Sequence, residues 1–281
     1  MRVSRRTGRF LLYLIAIVLS IIVLIPFLWA VSQSFTPANE IFSIPIHIVP
    51  AHPTLENYHV LFFKLGDVAI GRWFLNSLFV STAVTALILL FDSMAAFALS
   101  RLRFPGRTIV FFAFISTMLI PAQVTFIPLY VEMQKLGFLD SYNSLIWPYL
   151  ANAFYVFLLR QFFQGIPRDL DEAAIVDGAG TFTIFWRVIL PNTKSALAAV
   201  GILSFTAIWN DLFWPMVTIN SVDLRTLPMG LTIMNTEYGG TPGPGLVMAS
   251  AVIAFLPVLI IYTIFQRSIV EGISLTGLGG R

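Results

Sequence analysis

The 281-residue chain contains no cysteine and few charged residues. Without cysteine it has no disulfide, no thiolate metal site and no cysteine nucleophile. Charged residues make up 11% of the chain, against about 25% in soluble domains, and are too few to cover a soluble surface. Hydrophobic residues make up 57%, and the mean hydropathy is +0.84. This composition excludes disordered, collagen-like and disulfide-rich secreted proteins, and it predicts a polytopic membrane protein.

Six apolar segments are long enough to cross a bilayer, which requires roughly 20 apolar residues per helix. Within them the only charged residues are Asp92 in the second segment and Asp211 in the fifth. We therefore expect an all-α bundle of six transmembrane helices forming a single domain over residues 1–281. The predicted spans are 11–31, 73–99, 108–131, 141–159, 195–219 and 245–265.

Basic residues indicate the orientation, because Lys and Arg accumulate in cytoplasmic loops. Most of the 17 basic residues fall in the N-terminus, the turn after the second span, the loop after the fourth span and the tail 266–281. Both termini should therefore be cytoplasmic. The net charge of +3 then reports topology and not nucleic-acid binding. Asp92 should lie near the cytoplasmic side, in a local salt bridge or exposed at the interface.

The inner loop 161–194 is longer than most connections and contains residues that typically start and stop a helix. Asp169 is a candidate N-cap, and Glu172 three residues later completes a variant of the capping box. Gly178 is a natural helix stop. These signals predict a short helix over 170–177.

A second amphipathic run, 182–190, should be stopped by Pro191. The small Ala173 and Ala174 would let another surface approach the first helix closely. A helix resting on lipid headgroups is the alternative, but such helices are usually rich in basic residues. Only acidic charges occur over 170–177, which favours a protein partner.

This loop resembles the EAA loop of ABC importer permeases. That pattern is Glu-Ala-Ala, three residues, Gly, nine residues and Ile-x-Leu-Pro; here Val188 replaces the isoleucine, and Ser195 stands where many members have proline. The resemblance extends to the carbohydrate-uptake branch, and within it to the shorter, six-span, maltose-type second permease. The segments that carry this wider resemblance are Asn76-Ser77, Pro121, Pro128, Trp209-Asn210-Asp211, Trp214-Pro215, Gln266-Arg267 and Glu271-Gly272.

The resemblance implies roles for particular residues. The loop 167–191 would hold a coupling helix that docks on an ATPase, through Asp169, Leu170, Glu172, Ala173, Ala174, Asp177, Gly178 and Pro191. Other residues would line the substrate path, namely Trp209, Asn210, Asp211 and Trp214. For these, a structural role in capping or tethering helices is the alternative. An outer segment would reach the binding protein through Glu237, Tyr238, Gly239 and Gly240, and the tail would touch the ATPase through Glu271 and Gly272.

The chain has no G-x-x-x-x-G-K-[ST] motif, so it is not expected to bind a nucleotide. All three histidines fall in the first outer loop, apart from Asp92 and Asp211, so no metal or cofactor site is expected either. The resemblance implies that a separate dimeric ABC ATPase uses ATP and Mg²⁺. It also implies a bacterial-type inner membrane, a second permease, an extracytoplasmic sugar-binding protein and no enzymatic activity in this chain. The alternatives are a secondary transporter, a membrane enzyme, or an ABC permease for a solute other than a carbohydrate. The sequence does not select among sugars, polyols and phosphorylated solutes.

Overall fold

The computed structural model describes residues 5–37, 40–41, 48–64, 70–237 and 243–277. Across these ranges the chain is predominantly helical, and no strand occurs among them. The all-α fold that the sequence predicts is confirmed.

The helices are numbered in chain order. The N-terminal half contains α1 (Arg5–Ser34), α2 (Glu56–His59), α3 (Ile70–Arg101), α4 (Arg107–Thr117), α5 (Ala122–Lys135), α6 (Tyr142–Ile146) and α7 (Ala153–Gly165). The C-terminal half contains α8 (Asp169–Val176), α9 (Thr181–Thr183), α10 (Leu190–Asn192), α11 (Lys194–Trp209), α12 (Phe213–Thr218), α13 (Leu227–Glu237) and α14 (Pro244–Gly277). Single π-helical turns follow α2 and join α9 to α10, at Val60–Lys64 and Ile184–Ile189.

Three helical stretches among the described residues are long and apolar enough to cross a membrane: Arg9–Ser34, Ile70–Arg101 and Pro244–Gln266. Two further pairs of helices pass the same test together but are sharply bent. The α4–α5 pair bends by 98°, and Thr181–Asn192 bends by 81° into α11. Length and composition therefore support three spans, or up to five if each bent pair is one span. The count of six stays a prediction.

The predicted third span is not one straight helix, because the chain breaks between α4 and α5. Pro121 stands just before α5 in an extended conformation, with φ −58° and ψ 136°. Proline has no N–H to donate to the preceding turn, and its ring disfavours a helical conformation in the residue before it. The 98° bend therefore has a local cause in the sequence.

The predicted fourth span is also interrupted, between the 3₁₀ turn Trp147–Tyr149 and α7. Ala151 adopts a left-handed conformation, with φ +62°. The side chain of Asn152 then caps α7 by accepting a hydrogen bond from the Phe154 N–H at 3.0 Å. An N-cap of this kind starts a new helix and does not continue the old one.

The described chain forms two compact units. The first comprises Met1–Ile70 and Leu231–Pro257, and the second comprises Gly71–Gly230 and Val258–Arg281. In the first unit, the buried Asn57 amide donates to the carbonyls of Ser34 and Thr36, at 2.9 Å each. These bonds tie α2 to the end of α1. The inner loop, the chain breaks and the contacts that hold them all belong to the second unit.

In the second unit, the start of α3 holds the segment 222–227. The Asn76 amide donates to the carbonyl of Asp223 at 2.7 Å and to that of Arg225 at 2.9 Å. The Ser77 hydroxyl accepts the N–H of Leu227 at 2.7 Å. The Tyr142 hydroxyl on α6 donates to the side-chain oxygen Oδ1 of Asn76 at 2.7 Å. One Asn-Ser pair thus satisfies backbone groups that would be costly to bury alone.

The same region contains a close contact that should be sensitive to mutation. A Cβ added to Gly230 would lie 2.1 Å from the Cε3 atom of Trp73. The Trp73 ring is buried and donates its indole N–H to the Val222 carbonyl at 2.9 Å, so it has little freedom to move.

We expect Gly230→Ala to lower the free energy of unfolding by about 1–3 kcal/mol or more, the usual cost of overpacking. Thermal unfolding in detergent measures the loss. Gly201→Ala is the control, because an added Cβ there meets Leu89 Cδ1 at 3.5 Å, an ordinary van der Waals distance. Equal melting temperatures for the two variants would contradict the contact.

Candidate functional site

The short helix predicted in the inner loop is present as α8, Asp169–Val176. Its capping is different from the prediction. Arg168 holds the N-cap position without a side-chain cap, so the predicted Asp169 cap is wrong. The N–H groups of Asp171 and Glu172 bond instead to the Arg168 carbonyl, at 2.9 and 3.0 Å. The acidic residues of the first turn still favour the helix dipole.

The end of α8 is a Schellman motif built on Gly178. Gly178 has φ +83°, a conformation that side chains with a Cβ rarely adopt. Its N–H bonds to the Ile175 carbonyl at 3.0 Å, and the Ala179 N–H bonds to the Ala174 carbonyl at 2.9 Å. The helix therefore stops where the glycine predicts it.

A second helical segment, Thr181–Asn192, follows and includes the π-helical turn. It runs two residues past the predicted end at Leu190, and Pro191 lies in its last turn. The chain turns by 81° only after Asn192. A π-helical turn followed by proline is a recognised cause of such a bend.

The two segments present apolar side chains to the outside. The side chain of Val176 is 87% exposed. Four more large apolar residues are exposed beside it on the same loop, namely Leu170, Ile175, Phe182 and Trp186. The exposed coupling residues also include Asp169, Glu172, Ala173, Asp177, Gly178 and Pro191, whereas Ala174 is half-buried. An apolar patch with an acidic rim is typical of a surface that another molecule covers.

The inner side of this loop is fastened to the end of α3. Phe185 of the π-helical turn is buried, with its ring centroid 5.2 Å from that of Phe97. Arg101 donates to Asp171 Oδ2 at 2.9 Å, and the same guanidinium donates to the carbonyls of Phe163 and, at 2.8 Å, Ile166. Sequence reasoning missed this pair, because nothing in the pattern relates residues 70 positions apart.

The interruptions of the predicted third, fourth and fifth spans line one cavity of ≈ 740 Å³. Its walls include Thr117 and Ile120 before α5, Leu150 and Asn152 before α7, and Asp211 before α12. Chain breaks expose backbone polar groups, which at membrane depth must bond to protein or to water. A cavity at the breaks is thus the natural place for a polar path.

Asp211 and Trp214 border this cavity, as the sequence prediction of a substrate path requires. Asp211 Oδ1 also accepts the N–H groups of Phe213, at 3.1 Å, and Trp214, at 3.4 Å, so the residue caps α12. Its Oδ2 accepts the hydroxyl of Tyr149. The Trp214 indole donates to the Ser144 carbonyl at 2.7 Å. The capping and tethering alternative therefore describes what this carboxylate does within the chain.

Two of the proposed path residues do not border the cavity. Trp209 is buried, with its ring centroid 5.6 Å from that of Phe74, and Asn210 is exposed and donates to the Thr206 carbonyl at 2.9 Å. Asp92 also departs from its prediction. Only 1% of it is exposed, and its carboxylate accepts the Asn152 N–H at 3.2 Å, without a salt bridge in the described structure. The reason is the chain break before α7, which leaves that N–H in need of an acceptor.

The remaining predicted contacts fall at the margins of the described structure. Tyr238, Gly239 and Gly240 lie outside the described residues. Glu237 is the last residue of α13, and Glu271 and Gly272 lie in α14, with side chains outside the described part.

Beyond α12, Asp140 fastens the loop after α5 to residues 220–221. Its Oδ1 accepts the N–H groups of Asn220 and Ser221, at 2.9 Å each, and its Oδ2 accepts the Ser221 hydroxyl. The hydrogen bond from the Ser221 side chain, followed by those from the backbone N–H groups, holds the pKa of this carboxyl below its usual value of 3.8. The folded state therefore favours the ionised carboxylate.

We expect acid to remove this contribution to stability. A lowered folded-state pKa stabilises the fold above the unfolded value of 3.8, and the stabilisation is lost as the pH falls through the folded value. The melting temperature in detergent should therefore drop more steeply between about pH 5 and 3 in the native chain than in Asp140→Asn. Asparagine is the suitable replacement, because it tolerates the φ of +54°. Parallel pH profiles would contradict this assignment.

Comparison with known proteins identifies the family. Residues 93–274 match the family described as the inner membrane component of binding-protein-dependent transport systems. The chain is 34% identical to the diacetylchitobiose uptake system permease protein NgcG of Streptomyces coelicolor, over 91% of this chain and 84% of that protein. It is 33% identical to the arabinooligosaccharides transport system permease protein AraQ of Bacillus subtilis, over 98% and 99% of the two chains.

A solved structure agrees with these relatives. The fold matches a chain in the crystal structure of a bacterial ABC transporter involved in the import of the acidic polysaccharide alginate, with a TM-score of 0.83 and 26% identity. The match covers 95% of this chain and 99% of that one. The chain therefore belongs to the family of inner membrane components of binding-protein-dependent transport systems, and it is a permease subunit of an ABC importer and not an enzyme.

Proposed function

We propose that this permease forms half of a translocation path for a carbohydrate and receives the energy of ATP hydrolysis through α8. The observation that carries the coupling role is the exposed apolar surface of α8 and the segment after it, anchored from behind to α3. The carbohydrate class rests on the relatives, since NgcG is named for diacetylchitobiose and AraQ for arabinooligosaccharides.

As a member of this family, the chain works with a second permease, an ATPase and an extracytoplasmic substrate-binding protein. In our proposal the ATPase is a dimer that uses ATP and Mg²⁺, and this chain binds neither. The exposed Leu170, Ala173, Ile175 and Val176 insert into a cleft of the ATPase, and the acidic rim residues Asp169, Glu172 and Asp177 meet basic groups at its edge. Gly178 fixes the direction in which the loop leaves the cleft.

The proposed topology has six spans with both termini in the cytoplasm. The basic residues at the ends of α3 and α7 support this orientation, since Arg103, Arg107 and Arg168 line one open pocket near α8. The α4–α5 pair and the α6–α7 stretch each count as one interrupted span in this proposal, and α11 with α12 forms the fifth.

The proposed substrate path passes through the cavity at the three chain breaks. Asp211, already bonded to Tyr149, and the indole of Trp214 supply the hydroxyl-binding carboxylate and the apolar ring face that sugars need. Trp209 and Asn210 end α11 directly before Asp211 and do not border the cavity. On the outer side, residues 237–240 are proposed to meet the binding protein, and Glu271 and Gly272 of the tail to meet the ATPase.

Uptake in proteoliposomes tests the function. With its second permease, ATPase and binding protein present, we expect accumulation of a radiolabelled di- or oligosaccharide such as diacetylchitobiose or an arabinooligosaccharide. Accumulation should require ATP on the side of the membrane that carries the ATPase. It should continue when the proton gradient is dissipated. Uptake that persists without ATP and follows the proton gradient would identify a secondary transporter.

The substitution Ala173→Trp tests the docking role of α8. Ala173 is exposed, so a larger side chain fits the isolated chain but would collide with a partner that packs closely on the helix. Blocking the centre of such a contact costs about 2 kcal/mol or more, which is over tenfold in affinity. We expect that the ATPase no longer co-purifies with the permease when the complex is diluted. Uptake should fall by at least the same factor as the affinity.

The control is Ala251→Trp, an equally drastic change at an exposed position of α14, far along the chain from α8. It should leave ATPase binding unchanged. Retention of the ATPase and of uptake by Ala173→Trp would show that α8 is not the docking surface.

A further inference from the structure

The Arg101 and Asp171 side chains form the one charged link between the inner loop and a long helix in the described structure. Arg101 is the last residue of α3, and Asp171 lies in the first turn of α8. Only 4% of the Arg101 side chain and 16% of the Asp171 side chain are exposed. The pair is therefore removed from water although it lies in the inner loop.

The same guanidinium also holds the end of α7 through the carbonyls of Phe163 and Ile166. These carbonyls are among the last of α7, where a helix leaves acceptors without partners. One planar group thus joins α3, α7 and α8. Lysine could not make these three bonds at once, because it lacks the rigid fork of donors.

The pair is not expected to add much to the stability of the fold. Burying two charges costs several kcal/mol, and their attraction offsets this cost only when the remaining hydrogen-bonding atoms are satisfied. Here Arg101 Nε and Asp171 Oδ1 are both buried and have no hydrogen-bond partner. A well-packed apolar pair would stabilise the same contact at least as well. The charged pair instead supplies a directional link that resists sliding of α8 along α3.

We propose that Arg101 and Asp171 are positioning residues that transmit the movement of α8 to α3 and α7, and through α7 to the break at 150–152. This inference rests on the proposed docking of α8 on the ATPase. It assigns the transmission to one pair of side chains, in addition to the packing of Phe97 on Phe185. Movement of α8 then pulls on the inner ends of two spans whose other parts border the cavity or the Asp92 contact.

Amide hydrogen exchange on the assembled importer tests the transmission without knowledge of the sugar. The probe is ATP: amide exchange is measured in the complex with ATP, in the nucleotide-free complex and in the vanadate-trapped complex. In the native complex we expect trapping to change exchange at 117–122 and 148–153, the segments at the breaks. In Arg101→Gln and Asp171→Asn the ATPase should still bind and hydrolyse ATP, but the nucleotide-dependent change at these segments should be lost.

Arg103→Gln is the matched control, because Arg103 is an exposed arginine two residues from Arg101 and outside the pair. It should retain the native response. The Asp171→Asn variant leaves the bonds of Arg101 to α7 in place, so it separates transmission from folding of the α7 end.

An undiminished response at the breaks in both variants would overturn the proposal. Loss of ATPase binding in both would also overturn it, since the pair would then only shape the loop. Failure of the docking proposal gives a different result. The Ala173→Trp variant would then still bind the ATPase, whatever the effect of the substitutions at Arg101 and Asp171.

Discussion

The guanidinium of Arg101 is the interaction on which the arrangement of the inner loop depends. From the last residue of α3, it donates hydrogen bonds to two carbonyls at the end of α7 and to the Asp171 carboxylate in the first turn of α8. Because α8 has only eight residues, it would be marginal as an isolated helix in water. The hydrogen bonds of Arg101, together with the helix end at Gly178, stabilise this short helix while its apolar residues stay exposed.

The second constraint is that backbone groups at chain breaks in a membrane protein need partners. The predicted third, fourth and fifth spans are each broken, and a carboxylate accepts backbone N–H groups at two of these breaks. Asp211 caps α12 and binds Tyr149, and Asp92 on α3 accepts the Asn152 N–H. Asp92 and Asp211, the two charged residues within the predicted apolar spans, therefore serve first to bind N–H groups at the starts of helices. The cavity that results is also where a polar solute could pass between otherwise apolar helices.

Sequence patterns predicted what is local or strongly periodic. The long apolar helices, the short helix in the inner loop and its end at Gly178 follow from hydrophobic runs and from the conformational freedom of glycine. The family follows from the spacing of the Glu-Ala-Ala loop, and the comparisons confirm it. Asn76-Ser77 was recognised only as a resemblance, and the structure supplies its physical role in holding residues 222–227.

Sequence patterns failed where partners are distant in the chain. Hydrophobicity could not place the breaks inside the third, fourth and fifth apolar segments, because Asn152 and Asp211 act as caps through local geometry. The burial of Asp92 depends on a backbone N–H 60 residues away. The Arg101–Asp171 pair likewise carries no periodic signal, and a basic residue at the end of a span was read only as a marker of topology.

The central claim is that α8 is the cytoplasmic surface on which the ATPase docks, and one crosslinking measurement tests it most directly. The chain has no cysteine, so Asp177→Cys provides a single attachment point at the exposed C-terminal end of α8, beside the apolar side chains that are proposed to enter the cleft. A membrane-impermeant, photoactivatable maleimide applied to inverted membrane vesicles should attach there and yield a covalent adduct with the ATPase. Labelling from the outer face of intact cells, or an adduct with the binding protein and none with the ATPase, would contradict the account.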